Sequence, residues 1–413
     1  MLFDLQHPKF LHSLSRKSVE QCKISRSLPN MSRSNAVSDW SGKYVIGLTG
    51  NIATGKSVVR KMLEHLGAYT IDADALSHRA MAKGAPAYQP IVDHFGKWIL
   101  DEDGEIDREK LGNLVFGVPD ALKSLEDLVH PYVGEAIKLL VQRSQQDVVV
   151  VEAIKLLEGS LAAKCDSIWV TDAPESVQVS RLMTKRNLSE EIALRRIRSQ
   201  NPQKDKLEAA DIVIDNTGSF EELWKQVSAG WQKVTNADTE ETPDTEEKET
   251  LSGDFVVKRG HPRDSEAIAS LVSRLGGHSM TSSDVMAAFG EKAFFILKLG
   301  EDVVGLAGWQ VENLVTRTTD LYIAPEVALQ SALKVLVDEI ETASQALQSE
   351  ASLMFLGANL ASQDTVWKAL GYEKRTPKQL GVQAWHDAAN EVLKPDKALY
   401  FKQLRMDRVL RPI

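Results

Sequence analysis

Cysteine is nearly absent from this 413-residue sequence: there are two, Cys22 and Cys165, far apart and in no C-x-x-C pair. That spacing argues against a disulfide framework or a cysteine-built zinc site, and it suits a reducing cytoplasm. Long apolar runs are lacking too. The longest tight one lies near Val148–Val151, far short of the roughly 20 residues a membrane-spanning helix needs. An excess of positive charge is also missing. The formal net charge is −9, and most of it is local, because residues 236–250 hold seven acids against one lysine. Neither that segment nor the near-balanced remainder has the basic surface of a general nucleic-acid binder. Apolar residues make up 43% of the chain, enough to build cores without metals or disulfides, and the length points to two or three domains.

Residues 1–42 are rich in serine, with six Lys/Arg against three acids up to Trp40, and have no apolar core of a secretory signal. The composition predicts a disordered tail, or a start placed too early, with Met31 able to open a compact protein; an organelle transit peptide is the alternative.

What is present is organised around Gly50-Asn51-Ile52-Ala53-Thr54-Gly55-Lys56-Ser57, which fits G-x-x-x-x-G-K-[ST]. Tyr44–Thr49 before it reads as a short buried strand. Val59, Met62, Leu63 and Leu66 after it recur at i, i+3, i+4 and i+7, one face of a helix. Main-chain N–H groups from Asn51 to Val58 can point at a polyphosphate, aided by the helix dipole. Gly50 and Gly55 permit backbone angles and close approach that a Cβ would block. Lys56 brings a charge to the β/γ phosphates, and Ser57 offers a hydroxyl to Mg²⁺.

Ala68–Asp74 reads as a strand ending in two carboxylates. Either Asp72 or Asp74 could take a proton from an attacking hydroxyl or hold Mg²⁺ through water, or serve as a turn or helix cap. Residues 84–146 read mostly helical, with breaks at Pro86, Pro90, Gly104, Pro119 and Pro131, as a lid or acceptor insertion; His130 within them reads as a structural partner. Asp147–Glu152 is a central parallel strand ending in an acid placed to face magnesium. Asp166–Thr171 and Asp211–Asn216 follow as strands, and Arg181 and Arg186 lie on a basic helix between them that could close over phosphates. A last helix runs to about Lys233.

The segment 43–233 resembles the dephospho-coenzyme A kinase family. The resemblance rests on Thr49-Gly50-Asn51-Ile52, Ile71-Asp72-Ala73-Asp74, Gly84-Ala85-Pro86-Ala87, Ile106-Asp107-Arg108, Leu128-Val129-His130-Pro131, Arg181-Leu182, Ser199-Gln200 and Ala210–Asn216. It implies a P-loop kinase with a five-stranded parallel sheet and helical acceptor and lid insertions. It also implies ATP-dependent phosphorylation of the ribose 3′-hydroxyl of dephospho-CoA, with ATP and Mg²⁺. By resemblance Asp74 is the general base, Lys56 and Ser57 hold phosphate and magnesium, Arg181 and Arg186 are lid arginines, and Asn216 belongs to the adenine-side loop. One departure stands out: the family usually reads P-L-L-[FY]-E where this chain has Ile154-Lys155-Leu156-Leu157-Glu158. A P-loop kinase of another acceptor, such as a nucleoside monophosphate, and a nucleotide-binding regulator without chemistry are the alternatives.

Residues 234–253 are acidic, rich in threonine and nearly free of apolar side chains, as a solvated linker would be. Residues 254–413 then alternate strands and helices. A strand is expected at Phe255–Lys258, a helix at Asp264–Leu275, a hairpin at Phe294–Leu299 and Val303–Val311, and further elements to Gly371. This order resembles the GNAT acetyltransferase family, an α+β fold with a mixed sheet. That family holds a pyrophosphate on [QR]-x-x-G-x-[GA], whereas Ala324–Leu347 here contains no glycine. A loop without glycine cannot easily wrap phosphates. The domain therefore reads as a non-catalytic module for packing, dimerisation or coenzyme A sensing, with acetyl-CoA-dependent N-acetyl transfer as the alternative.

Overall fold

The computed structural model describes residues 40, 42–235, 250–252 and 255–410, which belong to one compact unit. In the first half, β1 (Tyr44–Thr49), β2 (Tyr69–Asp72), β3 (Val148–Glu152), β4 (Ser167–Asp172) and β5 (Ile212–Asp215) form a parallel sheet in the order β2-β3-β1-β4-β5. β1 and β3 are apolar along their length because helices cover both faces. The register sets Leu48 and Asp72 on either side of Glu152, so the acids end their strands at the same level. The chain after β1 therefore enters a crevice at the carboxyl ends of the strands, where α/β sheets bind ligands.

Helix α1 (Lys56–His65) buries Val59, Met62 and Leu63 under that sheet. The expected insertion holds α2 (Ala73–Ala80), α3 (Tyr88–Phe95), α4 (Arg108–Gly117) and α5 (Pro119–Arg143). Two expected breaks do not occur. Pro90 lies in the first turn of α3, where an N–H would have no intrahelical acceptor anyway. Pro131 lies inside α5. The buried stripe Val129, Val133, Ala136, Ile137 and Leu140 continues on both sides of it; burial at ~1.5–3 kcal/mol per large side chain outweighs the ~3 kcal/mol a mid-helix proline costs. After β4 come α6 (Glu175–Arg186), α7 (Glu190–Arg198) and α8 (Gln203–Glu208), and after β5 α9 (Phe220–Thr235).

The second half is built on an eight-stranded mixed sheet. Its strands are β6 (Thr250–Ser252), β7 (Phe255–Arg259), β8 (Ala293–Leu299), β9 (Asp302–Glu312), β10 (Val315–Ile323), β11 (Ala351–Leu356), β12 (Glu373–Lys374) and β13 (Ala398–Gln403). The order is β12-β13-β11-β10-β9-β8-β7-β6, and among the described residues of this sheet only β10 and β11 pair in parallel. The expected hairpin is β8–β9. Helices α10 (Ser265–Leu275), α11 (Ser282–Ala288), α12 (Leu329–Ala346), α13 (Ala358–Ala361), α14 (Asp364–Ala369) and α15 (Gln383–Val392) pack around the sheet. Helix α12 buries Leu333, Leu336, Val337 and Ile340, which recur at i, i+3, i+4 and i+7 on one face.

Most of residues 1–42 and 234–253, including Cys22, lie outside the described residues. Trp40 is described and is buried, its indole N–H donating to the Lys164 carbonyl. Cys165 is a free, buried thiol, pushed up to about 12 by burial and by the nearby Asp166 charge. No helix among the described residues is long and apolar enough to cross a membrane.

The two halves pack directly on each other. Leu314, Leu347, Val409 and Leu410 of the second join the core around Tyr69, Leu76 and Leu140 of the first. Polar contacts follow the same seam: Gln348 Nε2 donates to the Leu140 carbonyl at 2.8 Å and Arg79 Nη1 to the Asn313 carbonyl at 2.8 Å. His65 Nε2–H donates to the Phe289 carbonyl at 2.9 Å. Burial, then the Arg259 charge, lower the His65 imidazole to about 3. In the unfolded chain this ring takes a proton below its ordinary pKa near 6.5, whereas folded it stays neutral down to about 3. Acidification across that window therefore favours unfolding. Between pH 7 and pH 5 His65 contributes a loss of at most about 2 kcal/mol, less for its residual solvent contact. Urea midpoints at the two pH values should differ less in His65→Gln than in the parent chain; equal differences would remove His65 as the cause.

Candidate active site

The glycine-rich turn is held from below and behind. At Gly50 (φ 146°) a Cβ would lie 2.5 Å from the Thr171 hydroxyl, and at Gly55 (φ 101°) it would lie 1.8 Å from Asn216 Nδ2. Both positions require glycine for space and for backbone angle. Thr54 Oγ1 donates to the Asn51 carbonyl at 2.8 Å and meets Thr171 Oγ1 at 2.7 Å. Asn216 Nδ2 donates to the Thr54 carbonyl at 2.9 Å. Arg181 spans the turn, donating to the carbonyls of Ala53 at 3.1 Å and Asn216 at 2.7 Å. Asn216 and Arg181 thus brace the loop directly, a contact the adenine-side and lid assignments did not anticipate. Gln200 and Gln203 offer carboxamide oxygens to the N–H groups of Ile52 at 2.7 Å and Asn51 at 3.0 Å.

Lys56 is buried, its ammonium within 3.3 Å of the Asn51 carbonyl. Burial lowers its pKa; Glu152, Asp74 and Asp72 oppose that, and Arg186 adds to it. Ser57 is exposed at the start of α1, and Val58 turns its side chain into the apolar cluster beside β1. Arg186 stands exposed at the end of α6 and reaches the site through its charge on Lys56.

The two candidate aspartates separate in role. Asp72 is the N-cap of α2, its Oδ1 accepting from Ala75 N–H at 2.8 Å. Asp74, in the first turn of α2, keeps part of its surface open, and its Oδ2 accepts the Ile154 N–H at 3.1 Å. Burial raises the Asp74 carboxyl above its ordinary value, and the Asp72 charge adds to the rise; the Ile154 N–H, Lys56 and Lys206 work against it. A half-shielded carboxylate with a raised pKa, facing buried ammonium groups, is suited to taking a proton.

Ile154 is a hub. Besides donating to Asp74, its carbonyl accepts from Thr49 Oγ1 at 3.1 Å and from Lys206 Nζ at 2.9 Å. A proline in this place, the residue the resembled motif carries, has no N–H to give Asp74. Lys155 points away into an exposed pair with Glu126 at 2.7 Å. His130 sits exposed in α5.

Glu152 is occupied: Arg60 Nε donates to its Oε2 at 2.6 Å, both side chains buried. Burial works against the Arg60 charge, and the carboxylates of Glu152 and Asp72 outweigh it, so the guanidinium stays charged. Among the described residues no group of three His, Cys, Asp or Glu could hold a metal unaided. The donor set fits a magnesium ion that arrives with phosphates and takes one hydroxyl, that of Ser57, from the protein.

Gln200, Gln203, Thr171, Lys206 and Arg60 are site residues that motif reading missed. Ser199-Gln200 figured only as a shared feature, and Lys206 sits in a short charged helix with no periodic signal.

The arrangement has counterparts. A family model described as dephospho-CoA kinase matches residues 44–222. The dephospho-CoA kinase of Carboxydothermus hydrogenoformans is 43% identical over 192 residues, covering 46% of this chain and 93% of that protein. That of Aquifex aeolicus is 42% identical over 191 residues, covering 46% and 97%. The second half is similar in layout to a solved acetyltransferase of the GNAT family from Staphylococcus aureus Mu50, at 11% identity, 37% of this chain, 99% of that chain and a TM-score of 0.29. That likeness carries no argument about activity.

Proposed function

The chain belongs to the dephospho-CoA kinase family, and from that premise we propose how its residues carry out ATP-dependent phosphorylation of dephospho-CoA. The ATP phosphates lie on the main-chain N–H groups of Ala53 and Gly55–Ser57, with Lys56 at the β/γ phosphates; of the wider run Asn51–Val58 expected from the motif, the Asn51, Ile52, Thr54 and Val58 N–H groups already donate to Gln203, Gln200, the Asn51 carbonyl and the Gly55 carbonyl. Asp74 accepts the proton of the ribose 3′-hydroxyl as that oxygen attacks the γ-phosphorus, and ADP leaves. Lys56 and Arg186 counter the charge that spreads over the transferred group. Arg181 and Asn216 keep the loop in its phosphate-ready shape. Ser57 would hold Mg²⁺, which would supply positive charge to neutralise the phosphates, and Glu152, the other expected metal residue, is held by Arg60. The observation that carries this reading is Asp74, raised by burial and held by Ile154 in the same electrostatic field as Lys56.

For the second half we propose a packing module. Its support is the buried seam with the kinase core, together with a start of α12 that has no glycine and no side-chain cap.

The test is turnover by the purified full chain with ATP and either dephospho-CoA or a panel of nucleoside monophosphates. The expected result is a kcat/KM for dephospho-CoA at least about 100-fold above any nucleotide. Preference for a nucleotide would overturn the acceptor assignment. ATP binding with no transfer to any acceptor would overturn the kinase.

A further inference from the structure

A cleft of about 1190 Å³ opens between the insertion of the first half and α15 of the second. It starts at His78, one helical turn beyond Asp74 on α2, and residues i and i+4 share a helix face. Leu111 and Val115 of α4, both buried, form an apolar floor, and the kinase-side rim sets Arg108 and Lys83 among the carboxylates of Asp101, Asp103, Glu105 and Asp107, with Lys83 Nζ donating to the Asp103 carbonyl at 2.7 Å. The facing wall is α15. That helix buries Trp385, Ala388 and Ala389 in its own domain and turns Gln383, His386, Asp387 and Glu391 to the cleft. The wall is ordered by its own bonds: Gln383 Nε2 donates to Asp387 Oδ1 at 2.7 Å, and Asn390 Nδ2 lies 3.0 Å from His386 Nε2. The two walls come within ion-pair reach, Arg108 to Asp387 at 4.0 Å, both exposed.

From this geometry we propose that α15 forms the outer wall of the acceptor site and binds the neutral chain of amides and methylenes that dephospho-CoA carries beyond its pyrophosphate. The proposal rests on dephospho-CoA being the acceptor. With its ribose at Asp74, the acceptor still has a pyrophosphate and a long chain of amides and methylenes to house. A cleft above the ordinary drug-site size, beginning one turn away, has the room. Its apolar floor matches the methylenes, and the rim carboxylates together with Gln383 and His386 supply acceptors and donors for the amides, so the cleft suits the neutral part of the arm and not its phosphates. The second domain thereby completes a binding site whose chemistry belongs to the first.

The experiment uses the full chain. In Gln383→Ala/His386→Ala the KM for dephospho-CoA should rise about tenfold, with kcat and the KM for ATP within about twofold. Inhibition constants separate binding of the arm from damage to the whole site. That of coenzyme A, which carries the arm, should weaken in parallel, and that of adenosine 3′,5′-bisphosphate, which lacks it, should not move. Asp387→Trp, at an exposed position, should give the same pattern by filling the cleft. An unchanged KM for dephospho-CoA in both variants overturns the proposal, as does an equal weakening of the bisphosphate. A parent chain that does not turn over dephospho-CoA would instead bring down the kinase assignment on which the proposal stands.

Discussion

Asp74→Asn is expected to lower kcat about 10²–10⁴-fold while the KM values for ATP and acceptor stay within about threefold. Asparagine has nearly the shape of aspartate and can keep the 3.1 Å bond from Ile154 N–H through its carbonyl oxygen. What it cannot do is accept a proton, and general base catalysis is worth roughly that factor. Loss in kcat without loss of binding marks an interaction made in the transition state alone. A variant with near-parental kcat would show that another group takes the proton. The pH profile offers an independent check. As the proposed base Asp74 must be deprotonated, so kcat should fall as pH drops through its pKa, which burial and Asp72 raise and the Ile154 N–H lowers. Ile154→Pro deletes that donor, and the acid limb of kcat should therefore move to higher pH. A limb that stays in place would mean that the pH dependence belongs to a different group.

The second large effect is on stability, at the seam between the halves. Arg79 on α2 and Glu350 before β11 form an ion pair with both side chains buried. Glu350 Oε1 also accepts the Val409 N–H at 3.1 Å, and its main-chain N–H donates to the Leu314 carbonyl at 2.8 Å. Arg79→Ala leaves that carboxylate buried without its cation. Removing one partner of such a pair costs about 3–5 kcal/mol, against a total stability of about 5–15 kcal/mol for a typical domain. Urea denaturation of the full chain should register the loss, and Glu350→Gln should lose part of it. The double replacement Arg79→Met/Glu350→Leu should recover stability relative to Arg79→Ala, because no lone charge remains. A loss below about 1 kcal/mol in Arg79→Ala would mean that the pair is solvated in solution. Since α2 also carries Asp74, a fragment of residues 31–240 should lose activity with stability: it strips the cover of Leu314 and Leu347 from Leu76 and Leu140 and leaves Arg79 unpaired.

The phosphate loop, the carboxylate-tipped second strand, the valine strand and the hairpin of the second half were legible in the residues alone. Each is a local pattern: a glycine spacing, a period of 3.6, a run of β-branched side chains, a turn. A parallel sheet of five strands followed from the kinase resemblance, and its order β2-β3-β1-β4-β5 came with the structure. The choice between Asp72 and Asp74 was not legible from spacing, because either can cap a helix. It turned on which carboxylate Ala75 N–H used, and Asp72 was taken. Pro131 misled for a related reason: its local penalty is real, and burial along α5 outweighs it. Arg60 with Glu152, Arg79 with Glu350, Lys206 under Ile154, and the wall that α15 sets opposite Arg108 came only with the folded chain. Partners separated by 92 and 271 positions leave no periodicity to read, since what unites them is the cost of burying one charge without the other. Local geometry thus announced the chemistry, and long-range burial decided which side chains surround it and how closely the second half is bound to it.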